Sequence, residues 1–567
     1  MSQILSQPAW GPDRIFRAPA TNPDGDLPSK EIVGSKAHNL MRMARHGLPV
    51  PPAFVLSAAV CRDYVMLGRV ALAGIESALA GELAILGQRT GRLFGDTRRP
   101  LLVSVRSGAA ISMPGMMETV LNVGLTPVTL RALVRMTGNP HLAQDCRRRL
   151  IQQYGEVVHH IAPARFEAAG RECLAANGAD NLDALDTSGL KGLAAAYEEV
   201  FESEAGRPFP DDPMVQLTGA IEAVLRSWSS ERATTYRRLN GIDATLGTAV
   251  TIQAMVFGNL GPASGSGVGF TRNPSSGENE LYVDFLVDAQ GEDVVAGRRQ
   301  AEGLPAVDRC APAAMQALAE ARSILEREFG DMQDFEFTIE DARLFLLQSR
   351  AGKRTPLAAL RIAHDLVAEG AIAPAEALAR LEAIDLDRIE VCHLATGACG
   401  APIATGTPAG MGVAVGIAAF EPERVEALAA GGRPVILLRS TAETDDIAAL
   451  ASAEALVTRE GARTSHAAVV ARQLGKPCIV GCGALSIDPS GRRATLGAMA
   501  LSEGDPLSID GASGEIFCGA LEIIRARPTQ LLETVALWRQ AVVTAGTSAR
   551  ARRPARGKPA QRQGGRV

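Results

Sequence analysis

Residues 334 to 339, Asp-Phe-Glu-Phe-Thr-Ile, alternate polar and apolar at every step, a period of two that no helix accommodates. The run must be a strand. A turn at 340–342 and a second strand over 344–350 follow, so the segment predicts a closing hairpin. One face carries Phe335, Phe337 and Ile339 and has to be covered. The other carries Asp334 and Glu336, joined from the return strand by Gln348 and Arg350. Two carboxylates two residues apart on a strand can share Mg²⁺, a hard cation that takes oxygen ligands. Taken alone, a solvated polar face accounts for the same pattern.

A sheet holding this hairpin needs more strands, and residues 248–258, 265–270 and 281–287 have strand texture. Upstream, 31–47 reads as a glycine-led helix, followed by Pro-Val-Pro-Pro and an apolar strand. Residues 72–94 show amphipathic helical spacing, and 101–105 form a strand leading into the glycine- and methionine-containing loop 107–117. From 126 to 240 the chain is mostly helical. After the hairpin, helical segments at 356–370 and 374–382 lead to a unit over about 390–520 rich in glycine, alanine and valine. No internal repeat is visible.

The 567 residues allow roughly three or four domains at ~150 residues each. The formal net charge is −5, yet residues 550–566 hold seven basic and no acidic residues; this tail reads as a disordered, solubilising end. Nine cysteines form no Cys-x-x-Cys pair, so neither zinc nor a disulfide framework is indicated. The first 16 residues lack a secretory pattern, and a reducing cytoplasm is the expected location. Residues 394–420 are uncharged, but six glycines and two prolines suit short strands better than a membrane span. No membrane or nucleic-acid partner is expected.

Thr464 and Ser465 are helix N-cap residues, and the helix they start runs from His466 to a stop at Gly475. His466 therefore sits in a first turn. Free backbone N–H groups and the positive end of the helix dipole favour a phosphate there and keep the imidazole neutral and nucleophilic.

The string around it, Gly461-Ala-Arg-Thr-Ser-His-Ala-Ala-Val-Val-Ala-Arg, resembles the phosphohistidine signature of the phosphoenolpyruvate-utilising enzymes. Val435-Ile-Leu-Leu-Arg, Glu443-Thr-Asp-Asp-Ile and Gly504-Asp-Pro-Leu-Ser-Ile-Asp-Gly resemble the swivelling domain that carries it. In the N-terminal half, Val105-Arg-Ser-Gly-Ala, Ser112-Met-Pro-Gly-Met-Met-Glu-Thr, Gln253-Ala-Met-Val-Phe-Gly-Asn, Phe270-Thr-Arg-Asn-Pro and Ala289-Gln-Gly-Glu-Asp-Val-Val-Ala-Gly are similar to the nucleotide-binding domain of pyruvate phosphate dikinase. The resemblance implies an α/β and α+β multidomain chain. Its parts are an ATP-grasp nucleotide-binding domain at 1–355 with a helical insert at about 126–240, and a helical linker at 356–389. A swivelling phosphohistidine β/α domain at 390–520 follows, then a short helix and disordered basic tail at 521–567. Two positions depart from the family: Ala462-Arg463 stands where Gly-Met is usual, and Asp284 where Glu is usual, which leaves Asp284 outside the expected site.

The same resemblance assigns roles. His466, Arg106 and Lys36 are the catalytic set; Lys36, Arg106, Gln348 and Arg350 hold the nucleotide, with the loop at Gly115 closing over its phosphates; Asp334 and Glu336 hold Mg²⁺. Arg148 or Arg149 would touch a phosphate, unless both simply line a solvated helix face. Thr464 matches a residue phosphorylated in some relatives, although capping alone explains it.

The implied chemistry is autophosphorylation of His466 from ATP and orthophosphate, releasing AMP and pyrophosphate. Onward transfer to pyruvate needs a (β/α)₈ barrel of ~250 residues. The 48 residues after Gly519 cannot form one, so the expectation is either a separately encoded barrel or an acceptor other than pyruvate. Competing expectations are a water-dependent dikinase of the phosphoenolpyruvate synthase type and a non-catalytic regulatory homologue.

Overall fold

The structure is a computed structural model that describes residues 10–11, 13–19, 25–111, 113, 117–296, 301–395, 401–441, 447–461, 463, 465–488 and 492–551. The chain divides into two compact units. The first comprises Met1–Gly269, Val283–Glu328 and Gln333–Ala351; the second comprises Phe270–Tyr282, Phe329–Met332 and Gly352–Val567. Both mix helices with sheets.

The first unit is built on a five-stranded antiparallel sheet in the order Ile15–Ala18, Ala53–Leu56, Thr248–Ala254, Val103–Ala109, Thr119–Val123. A second sheet runs Arg343–Ala351, Gln333–Glu340, Gly265–Phe270, Tyr282–Val287. The two halves of its hairpin face each other in the register Asp334 to Arg350 and Glu336 to Gln348. Phe335, Phe337 and Ile339 are buried, as the alternation requires.

The hairpin also breaks the simple alternation. Glu336 pairs with Gln348 but Phe337 pairs with Leu346, so Leu347 is an extra residue on the return strand, a bulge. Leu346 stays in the core while Leu347 and Gln348 turn to the cleft described below. The connecting turn places Asp341 and Ala342 at φ +49° and +60°, the two-residue geometry that matches strand twist.

The helical stretch resolves into Pro127–Thr137, Pro140–His159, Pro163–Asn177, Thr187–Ala205, Pro213–Ser227 and Glu231–Leu239. Their limits follow from local chemistry: Thr126, Asn139, Asp186, Asp212 and Ser230 accept from the first-turn amides, and four of the helices begin with proline. Inward residues such as Leu150, Phe166, Tyr197, Phe201 and Ile221 join one core with Val105 and Ile252 of the sheet.

In the second unit, helices Pro356–Ala368, Pro374–Leu381 and Thr529–Ala551 share a core around Leu360, Leu366, Leu381 and Val535. An eight-stranded sheet follows, with Val413–Ala419, Val435–Arg439, Ala455–Thr458 and Cys478–Val480 running parallel at its centre. The uncharged stretch supplies strands here: Ala404–Thr405, Thr407–Gly410 and Val413–Ala419. After 520 the chain differs from the short helix expected. Strand Ile523–Ala526 pairs with Val391–Leu394, and the helix beyond it runs for 23 residues because its inner face packs on the two preceding helices. Residues 552–567 of the basic tail lie outside the described residues. No single described helix is long and apolar enough to cross a membrane.

Candidate active site

The helix Lys30–Arg45 carries Lys36, and one glycine determines where it lies. Gly34 has φ +77° inside this helix, and a Cβ there would come within 2.0 Å of the Gly108 carbonyl oxygen. Only glycine permits that approach and that conformation. The helix is secured further by Ser35 Oγ donating to the Ala109 carbonyl at 2.9 Å and Asn39 Nδ2 donating to the Ser349 carbonyl at 2.7 Å. Lys36 is thereby set against strand Val103–Ala109, which carries Arg106, and against the hairpin.

These groups converge on a cleft of about 410 Å³. Lys36, Arg106, Glu336 and Gln348 line it, with Leu347 and Thr338 from the hairpin and Ser266 and Val268 from the neighbouring strand. Gln253, Met255 and Val256 form another wall, and Gln153, Gln290 and Glu292 a third. The volume is within the range of small-molecule sites.

Two cations, Lys36 and Arg106, and two carboxylates, Glu292 and Glu336, stand on the cleft walls, and Glu292 is paired with Arg149. Arg106 Nη2 lies 3.9 Å from Glu336 Oε2. Burial lowers the Lys36 ammonium to about 8; Arg106 pushes the same way, Glu336 opposes it, and Arg350 adds to the lowering. Burial is thus the main force against the lysine charge, and negative charge brought beside it would favour the ammonium.

Asp334 and Arg350 stand differently from the pair beside them. Arg350 Nε donates to Asp334 Oδ2 at 2.7 Å, the Asp334 residue is 5 % exposed, and neither residue lines the cleft. Burial works against the Arg350 charge, but Asp334 and Glu336 outweigh it and raise its pKa. Of the two expected metal-holding carboxylates, the structure puts Glu336 on the cleft wall and ties Asp334 to an arginine. Among the described residues no group of three or more His, Cys, Asp or Glu side chains could hold a metal ion. The donor set still suits Mg²⁺, which keeps several waters and takes one or two carboxylates together with substrate phosphates.

Arg148 and Arg149 are buried away from solvent in a charge network. Arg148 pairs with Asp145 at 2.6 Å, and Arg149 pairs with Asp145, Glu292 and Asp293. Their charges are matched by carboxylates of the protein, and neither lines the cleft. Sequence reasoning overlooked Gln153, Gln253, Gln290 and Glu292. Three of these stand inside the strings Gln253-Ala-Met-Val and Ala289-Gln-Gly-Glu-Asp, where the signal was available.

Gly115 lies outside the described residues, as do Thr464, Ala462 and the side chain of His466. The backbone of His466 opens helix His466–Gln473, whose N-cap is Ser465: its Oγ accepts from the Ala468 amide at 3.4 Å. The approach to the helix is fixed by Arg472, which is buried and donates through Nη1 to the carbonyls of Arg463 and Ala409. Arg463 stacks on the Tyr282 ring at 4.6 Å, and Tyr282 Oη donates to the Pro408 carbonyl at 3.0 Å.

Residues 70–309 match the pyruvate phosphate dikinase AMP/ATP-binding domain, and 431–514 match the mobile domain of phosphoenolpyruvate-utilising enzymes. The chain therefore carries segments similar to two domains of the phosphoenolpyruvate-utilising enzymes. More narrowly, it is a homologue of the pyruvate phosphate dikinases. It is 41 % identical to pyruvate, phosphate dikinase of Rhizobium meliloti over 523 residues, 90 % of this chain and 58 % of the relative. The Clostridium symbiosum enzyme is 40 % identical over 91 % of this chain and 59 % of its own length. Chloroplastic pyruvate, phosphate dikinase 1 of Zea mays is 42 % identical over 89 % and 54 %. The chain thus spans a little over half the length of the curated relatives it matches.

Proposed function

We propose that the first unit is an ATP-grasp domain that binds ATP in the cleft and that the protein transfers a phosphoryl group from it to His466. The observation carrying this reading is the convergence of Lys36, Arg106, Glu336 and Gln348 on one cleft, in a chain that also holds a histidine at the first position of a capped helix. In the step we infer, an imidazole nitrogen of His466 attacks the β-phosphorus and AMP leaves. Orthophosphate then takes the terminal phosphoryl group as pyrophosphate, and His466 keeps the β-phosphoryl group.

Lys36 and Arg106 neutralise charge on the transferring oxygens, the main task in phosphoryl transfer. Gln348 orients the phosphates by its amide. By resemblance, Gly115 adds a contact to the phosphates. Ser465 and Arg472 hold the start of the histidine helix in shape, so that its free amides receive the phosphate. Mg²⁺ would be held by Glu336 and, beside Arg350, Asp334, and would supply positive charge to offset the nucleotide phosphates. Onward transfer to pyruvate falls to a phosphoenolpyruvate/pyruvate barrel outside the two described units.

The test is incubation with Mg²⁺, orthophosphate and ATP labelled at the β-position, beside His466→Ala. Label on the wild-type chain alone, with AMP and pyrophosphate released, is expected. No label and no AMP ends the catalytic reading, and release without orthophosphate assigns the protein to the water-dependent type.

A further inference from the structure

Behind one wall of the cleft runs a polar relay that ends at Gln290, whose last atom has no partner among the described residues. It begins at Asp145, 6 % exposed, whose carboxylate is held charged: burial opposes the charge, but Arg149 and Arg148 outweigh it and lower its pKa. An ionised carboxylate only accepts. Asn259 must therefore turn its amino group toward Asp145, and Nδ2 donates to Oδ2 at 2.9 Å. The Asn259 oxygen is left facing Gln290, which can meet it only with its own amino group. Gln290 Nε2 lies 3.3 Å from Asn259 Oδ1 and 3.3 Å from Cys146 Sγ, so both amino hydrogens have acceptors.

The amide orientation of Gln290 is thus dictated from Asp145 through Asn259, and Oε1 is the atom left over. Gln290 is 4 % exposed, its Oε1 is buried without a hydrogen-bond partner among the described residues, and the residue lines the cleft. A buried acceptor left unpaired is costly, and a ligand that donates to it recovers that cost. The triphosphate of a nucleotide presents only acceptors near neutral pH, so a matching donor belongs to the nucleoside.

We propose that Gln290 is a specificity residue for the nucleoside half of the nucleotide, its Oε1 accepting from a ribose hydroxyl or the base amino group. The inference rests on the nucleotide reading of the cleft and adds the part of the ligand that this wall recognises. It also gives the Arg149 network a task, because charge on Asp145 sets the polarity of the whole relay.

The experiment measures binding by calorimetry on the full chain carrying His466→Ala, so that nucleotide is not consumed. ATP is compared with 2′-deoxyATP, 3′-deoxyATP and inosine triphosphate, each lacking one donor. With Gln290 present, one analogue binds about 5- to 100-fold more weakly than ATP, the effect of leaving one buried polar group unpaired. In Gln290→Met, which keeps length and volume, ATP weakens similarly and that analogue is no longer distinguished. Gln290→Asn, which shortens the reach of the amide, is a second variant with the same expectation. Thermal unfolding identifies any variant that has lost its fold. If all three analogues bind like ATP with Gln290 in place, or a folded variant keeps the full discrimination, the proposal is overturned while the nucleotide site stands. If ATP itself does not bind, the nucleotide reading falls too.

Discussion

The carbonyl oxygen of Gly108 occupies the space where a side chain at residue 34 would begin: a Cβ on Gly34 would lie 2.0 Å from it. Backbone meets backbone here, so no rotamer change relieves the contact. Gly34→Ala also forces a non-glycine residue to φ +77°. We expect a loss of roughly 2–4 kcal/mol in the stability of the first unit, seen as a lower denaturant midpoint, with weakened ATP binding because Lys36 moves away from Arg106. A variant with wild-type stability and affinity refutes this account of how the lysine is placed.

How far the sequence disclosed this site differs from residue to residue. The hairpin was legible because period-two alternation admits one reading, and the helices of 126–240 because their caps and prolines are local signals. The bulge at Leu347 was not legible: it depends on the register with Phe337, a relation between strands. For the same reason the alternation grouped Asp334 with Glu336 but could not show that Arg350 claims the first of them. The relay through Asn259 and Gln290 was hidden more deeply, since its members are 114 and 31 residues apart in sequence.

The turn of the same hairpin holds Ala342 at φ +60°, a conformation that costs a residue with a Cβ about 1 kcal/mol. Ala342 is exposed, and its amide donates to the Ala263 carbonyl at 2.8 Å, a bond glycine keeps. Ala342→Gly should therefore raise the melting temperature of the first unit slightly without changing phosphoryl transfer. An unchanged or lower midpoint shows that unfolded-state entropy outweighs the strain.

Arg463 lies over Tyr282 at the approach to the histidine helix, and the contact is worth ~0.5–1 kcal/mol where it is partly exposed. Arg463→Met removes the charge and retains an apolar stem. A small drop in the stability of the second unit is expected, matched by Tyr282→Leu. The double variant should lose less than the sum of the two single losses, and strict additivity would show that the two residues do not interact.

Glu336 and Asp334 should respond differently to removal of charge, although both stand on the same strand face. Glu336 lines the cleft, so Glu336→Gln should raise the Mg²⁺ concentration needed for histidine phosphorylation roughly 10- to 100-fold while leaving the fold intact. Asp334→Asn deprives the Arg350 guanidinium of its partner, so it should lower stability as well as metal response. Chelation with EDTA should stop labelling of His466 in every variant, with recovery on adding Mg²⁺. Equal metal titrations for wild type and Glu336→Gln would remove Glu336 from the metal site.

The ammonium of Lys36 gives the site a pH dependence whose sign is determined by its lowered value. Held at about 8 instead of the ordinary 10.5, the group is charged below that pH and neutral above it. Affinity for ATP in the free protein should fall as pH rises through 8, because a neutral amine no longer attracts the phosphates. Stability should move the opposite way. Between about 8 and 10.5 the unfolded chain binds the proton that the folded chain has released, so the contribution of Lys36 to stability rises with pH across that window. Bound triphosphate brings negative charge beside the lysine and raises the folded value, so the complex should hold its proton to higher pH than the free protein. Lys36→Met should bind ATP weakly with no inflection near pH 8, whereas Lys36→Arg should keep its charge throughout. An inflection that survives in Lys36→Met belongs to another group, and the cationic role assigned to Lys36 would then be lost.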